Sequence, residues 1–106
     1  MQKDDLRLVG SEGKLVAYLN CEIDSHTVGS IRERIDREIF FARPSLLVMD
    51  FSAVSFMDSS GLALILGRVQ LMESMDGRVN AVGLSEQNMK LVRLSGIEKI
   101  KGLSLK

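Results

Sequence analysis

Four residues near the middle of the chain, Asp58-Ser59-Ser60-Gly61, set a carboxylate beside two hydroxyls, between the apolar pair Phe56-Met57 and a leucine-rich run. Such a segment invites two readings, a serine nucleophile or a phosphate-cradling loop. A nucleophile elbow needs glycine two positions before its serine to relieve a strained turn, and its histidine follows the serine. Here Met57 stands at that position and the sole histidine, His26, precedes Ser59. The phosphate-loop reading fails at Gly67, which is followed by Arg68-Val69 where that loop needs Lys and then Ser or Thr. One His and one Cys supply no metal-ligand spacing, and the carboxylates follow no calcium-loop pattern. No catalytic residue, metal or cofactor is expected. What remains is a serine at a helix start. Asp58 and Ser59 are both good N-cap residues, and capping alone would account for their types.

These residues must be positioned by the elements around them. Leu6 and Leu8 alternate with Arg7, and after Ser11-Glu12-Gly13 comes Leu15-Val16-Ala17-Tyr18-Leu19, two apolar runs with a glycine break that predict a β-hairpin. Val28, Ile31, Ile35 and Ile39 recur at helical spacing, with charges between them, until Pro44. Leu46-Leu47-Val48-Met49-Asp50-Phe51 is nearly continuous, as in a strand covered on both faces. Beyond Gly61, Leu62, Ile65, Leu66, Val69 and Met72 form a helical stripe taken as the buried one, ending near Asp76-Gly77. Leu64, Leu71 and Met75 fall off that stripe, and Gly67 with them. A glycine inside a helix costs about 1 kcal/mol against alanine, so this second face is expected to meet a partner. Residues 78–83 read as a strand, 86–94 as a helix closed by Ser95-Gly96, and 97–105 as holding a last short strand or turn. The order β-β-α-β-α-β-α with that possible final strand makes one α/β domain over residues 1–106.

Composition narrows the partners. Fourteen basic residues cancel fourteen acidic ones, so the positive excess that drives binding to nucleic acid is absent, and so is a polybasic membrane patch. No apolar run approaches the ~20 residues that span a bilayer. The charged opening Met1-Gln2-Lys3-Asp4-Asp5 lacks the apolar stretch of a leader, and the lone Cys21 fits a reducing compartment. The expected location is the cytoplasm. Cys21 reads as a small buried hydrophobe and His26 as a turn or surface residue.

Two segments carry a resemblance. Phe56-Met57-Asp58-Ser59-Ser60-Gly61-Leu62-Ala63-Leu64-Ile65-Leu66-Gly67-Arg68 resembles the phosphorylation-site segment of the bacterial anti-sigma-factor antagonists, and Glu22-Ile23-Asp24-Ser25-His26-Thr27 is similar to that family's turn between second strand and first helix. The resemblance implies the STAS fold, a small mixed sheet backed by helices. It implies a partner that is both anti-sigma factor and serine kinase, bound by the unphosphorylated antagonist so that the sigma factor is freed. Phosphorylation at Ser59 would end that binding and a serine phosphatase would restore it. Asp24, Asp58, Ser60, Gly61, Leu64, Arg68 and Leu71 are the expected partner-binding residues. Asp24 and Asp58 equally fit plain helix caps, and Arg68 a solvated helix position. The alternative is a STAS binding module in another signalling assembly or a transport system. A minor nucleotide-hydrolysing activity ranks last.

Overall fold

The computed structural model of the chain describes residues 5–106, so residues 1–4, which carry most of the charged opening, lie outside it. Strands β1 (Leu6–Ser11) and β2 (Lys14–Leu19) form the hairpin. Its two-residue turn is possible because Glu12 and Gly13 both take positive φ, 37° and 81°, the mirror-image turn whose twist matches that of the strands. Helix α1 (Val28–Ala42), β3 (Leu46–Asp50), α2 (Ser59–Ser74), β4 (Arg78–Val82), α3 (Glu86–Ser95), a 3-10 turn (Ile97–Lys99) and β5 (Leu103–Leu105) follow. The last strand allowed for in the sequence is therefore present.

The sheet is mixed, in the order β1-β2-β3-β4-β5, with β1 antiparallel to β2 and every later pair parallel. Register aligns Leu15 with Leu47 and Val79, and Ala17 with Met49 and Ala81. All six are fully buried, and α1 adds Ile31, Ile35 and Ile39 on top of them. The strand order advances one step at a time in one direction, so right-handed crossovers place all three helices on the same side of the sheet. The expectation that β3 is covered on both faces is corrected by this geometry. Leu47 and Met49 are buried beneath the helices, whereas Leu46, Val48 and Asp50 on the other face are half-buried. That open face is organised by strand neighbours, with the Arg7 guanidinium 4.4 Å from the centre of the Tyr18 ring, within cation–π range.

Helix α2 packs against both α1 and β4, and this two-sided contact shifts the stripe expected for it, keeping Ile65, Val69 and Met72 buried but not Leu62 and Leu66. The buried set is Gly61, Leu64, Ile65, Arg68, Val69 and Met72. Leu62 and Leu66 are only half-buried, and a Cβ at Gly67 would meet nothing within 4 Å, so that glycine serves no close contact. Helix α3 starts at Ser85, whose hydroxyl accepts from the Asn88 N–H at 3.1 Å. It stops at Gly96, where φ of 83° takes the backbone out of the helix.

Candidate functional site

The two sequence segments lie far apart in the chain and meet in space. Ile23 and Met57 form a single parallel bridge. The Ile23 N–H donates to the Phe56 carbonyl at 3.0 Å, and the Asp58 N–H donates to the Ile23 carbonyl at 3.1 Å. These bonds fasten the turn before α1 to the start of α2 and bring Asp24 beside the Asp58-Ser59 corner.

Each aspartate shapes its own turn. Asp58 is the N-cap of α2, in extended backbone (φ −106°, ψ −159°), and its Oδ1 accepts from the Ser60 N–H at 2.8 Å. That bond satisfies one of the four amides a helix start leaves without partners. Ser59 is then the first residue of α2 and is exposed, while Ser60 is half-buried. Asp24 Oδ1 accepts from the His26 N–H at 2.8 Å and the Thr27 N–H at 3.1 Å, and the Thr27 hydroxyl donates to the Glu22 carbonyl at 2.8 Å. Asp24 thus folds the turn that leads into α1, and its neighbour His26 lies on the surface.

Gly61 is buried for a reason specific to this corner. A Cβ there would sit 2.8 Å from Met57 Sδ, 3.0 Å from its Cβ and 3.1 Å from its Cγ. Met57 is itself buried, and it belongs to the bridge that holds the two segments together. Gly61 therefore positions Ser59 from within and is corrected from a partner contact to a packing residue. Gly61→Ala should destabilise the domain by about 1–3 kcal/mol, the usual range for overpacking, read as a lower urea midpoint with unchanged slope.

Two further expected contact residues are also corrected. Leu64 is 1% exposed and lies in the core. Arg68 is 6% exposed and lies 2.8 Å, through Nε, from Asp36 Oδ1 of α1, so it is an inter-helix ion pair rather than a solvated charge. Neither of these two atoms, nor Arg68 Nη1, has a well-aligned hydrogen bond among the described residues. Burial pushes the Arg68 guanidinium below its ordinary value; Asp36 works against that push and Arg32 with it. Leu71 is half-buried and packs against the core. Of the expected site residues, Asp24, Asp58, Ser59 and Ser60 thus lie together at the start of α2, and Leu71 lies farther along the helix.

Cys21 beside it is half-buried rather than buried. Burial, with Asp5, Asp24 and Glu22 adding to it, raises its thiol above the ordinary value, which keeps it protonated and a poor nucleophile. Among the described residues no three His, Cys, Asp or Glu side chains could together hold a metal ion, and no helix is long and apolar enough to cross a membrane.

The sequence reading missed a groove beside Ser59. One wall is Phe56, Met57, Asp58 and Ser59; the other is the face of α3 carrying Gln87, Lys90, Leu91 and Leu94; together they enclose about 420 Å³. The signal available was Leu94, which stands off the face of α3 that buries Asn88 and Val92.

Comparison with known proteins supplies the context for this corner. Residues 5–105 match the STAS domain model. An anti-sigma F factor antagonist of Lysinibacillus sphaericus is 36% identical over 83 residues, covering 78% of this chain and 71% of that one. Its counterpart in Paenibacillus polymyxa is 33% identical over 88 residues, covering 83% and 75%. Among solved structures, the Bacillus cell fate determinant SpoIIAA in its phosphorylated form superposes with a TM-score of 0.73 at 30% identity, covering 95% of this chain and 90% of that one.

Proposed function

Since the chain belongs to the STAS domain family, we propose that it is an anti-sigma-factor antagonist, a binding protein rather than an enzyme, whose association with its partner ends when Ser59 is phosphorylated. The partner is an anti-sigma factor that is also a serine kinase. The unphosphorylated antagonist binds it and frees the sigma factor, a serine phosphatase reverses the modification, and the exchange takes place in the cytoplasm. The observation that carries this reading is the exposed Ser59 at the first position of a helix whose start Asp58 already caps.

The physics favours a switch that leaves the fold alone. A phosphate on Ser59 adds roughly −1.5 to −2 charges where the helix dipole favours negative charge by about 0.3–1 kcal/mol. A partner gains nothing comparable. Two like unit charges about 6 Å apart repel by roughly 3 kcal/mol at an effective dielectric of ~20, and a tenfold change in affinity corresponds to about 1.4 kcal/mol.

Incubation with the candidate kinase and ATP, followed by mass spectrometry, should place phosphate on Ser59 and none on the Ser59→Ala protein. The phosphorylated protein should keep its circular dichroism spectrum and bind the kinase about 100-fold more weakly. Equal affinity before and after phosphorylation, or label elsewhere than Ser59, overturns the proposal.

A further inference from the structure

We infer that the groove between the 56–59 segment and α3 receives a second contact from the same partner, an apolar side chain flanked by a carboxylate. This rests on the antagonist reading and concerns how the partner is chosen.

The groove is built before anything enters it. The Asn88 side chain, buried within α3, donates from Nδ2 to the Val54 carbonyl at 3.2 Å and ties the helix to the connector that leads to Phe56. The opposite wall is held by the Ile23–Met57 bridge. Between them, Leu94 is 83% exposed and Phe56 44% exposed, and Leu91 lies partly buried on the floor. Large apolar side chains left bare together on a rigid surface mark a place of association.

The polar groups say what kind of occupant fits. A small-molecule site gathers several free donors and acceptors around one point. Here the Asn88 amide is engaged by Val54 and Asp58 Oδ1 by the Ser60 N–H, which leaves an apolar trough rather than a convergent polar set. That favours a protein surface. Lys90 is the one cation among the lining residues. Glu86 stands one turn earlier on α3, yet no ion pair joins it to Lys90, and Lys90 has no ion-pair partner among the described residues. An apolar contact beside an unpaired ammonium is complemented by an apolar side chain with a carboxylate next to it.

Regulation follows from the shared wall. Ser59 lines the same groove as Lys90, so a phosphate on Ser59 offers that ammonium an anion from the chain itself. Modification would then both repel the partner and compete for the cation that its carboxylate uses.

The probe is the kinase that labels Ser59, titrated against unphosphorylated protein by calorimetry. Leu94→Ser should weaken binding at least tenfold and Lys90→Glu roughly tenfold. Lys101→Glu, the same charge change at an exposed lysine away from this groove, should leave affinity within twofold. Leu94 and Lys90 are exposed in the free protein, so circular dichroism should stay unchanged in all three. Parent-like affinity for Leu94→Ser and Lys90→Glu, with phosphorylation still weakening binding, overturns the groove and leaves the switch standing. Loss at Leu94 with no effect of phosphorylation overturns the switch and leaves the groove standing. Loss at Leu94 with none at Lys90 overturns the flanking carboxylate.

Discussion

Leu64→Ala should be among the most destabilising single truncations in α2, lowering stability by about 3 kcal/mol within the 2–5 kcal/mol range for buried leucines. Its side chain is 1% exposed, on the helix that packs against both α1 and β4, so the vacated space cannot collapse from one side alone. For a domain of this size that loss corresponds to a fall in Tm of roughly 12–24 °C. Leu71→Ala, at a half-buried position, should lose about 1 kcal/mol, in proportion to the smaller apolar area it buries. Thermal and urea unfolding of the two variants side by side distinguishes core from surface. Equal and small losses would mean that Leu64 faces outward after all. The folded fraction of Leu64→Ala should still bind the proposed partner with parental affinity, because the residue reaches no surface.

A comparable loss is expected at the α1–α2 contact. Arg68→Ala should lower stability by about 3 kcal/mol, the low end of the range for removing one member of a buried pair, because the stranded carboxylate keeps some contact with solvent. Arginine stays charged at any pH a protein survives, so the lowering caused by burial does not offer neutralisation as an escape. The stranded group is Asp36, whose side chain is 21% exposed. The double variant Arg68→Met with Asp36→Leu should recover most of the loss, since apolar packing of similar volume replaces a buried pair at little net change. Denaturant midpoints of the parent, Arg68→Met, Asp36→Leu and the variant carrying both form a cycle. No recovery in the double variant would show that the two side chains act independently.

How far the sequence spoke depended on what each element touches. The stripe of Ile31, Ile35 and Ile39 on α1 is legible because, between Ile31 and Ile39, every residue except Ile35 is charged. In α2 the same periodicity misleads. Leucine or isoleucine occupies 62, 64, 65 and 66, and only the position of α1 decides that Leu64 is buried and Leu66 half-buried. Arg68 looked like a solvated charge because its partner, Asp36, lies 32 positions earlier in sequence, and no local pattern reports so distant a pairing. The end of the site was readable for the opposite reason. The Asp58 cap is a bond between residues two apart, and local chemistry of that kind is written in adjacent letters. The bridge from Ile23 to Met57 and the groove set by Asn88 and Val54 are long-range, and neither has a sequence signature of its own.

Arg34 lends the fold a further property. Its guanidinium Nη2 donates to the Leu6 carbonyl at 3.1 Å, on β1, one of the two edge strands of the sheet. An open strand edge is a template onto which another chain can zip, backbone to backbone, and that bond takes up one of its acceptors. A neighbour held by main-chain zippering would be indifferent to a single phosphate elsewhere on the surface. Blocking that acceptor narrows what the β1 edge offers to a strand of another chain, and leaves more of any encounter there to side chains.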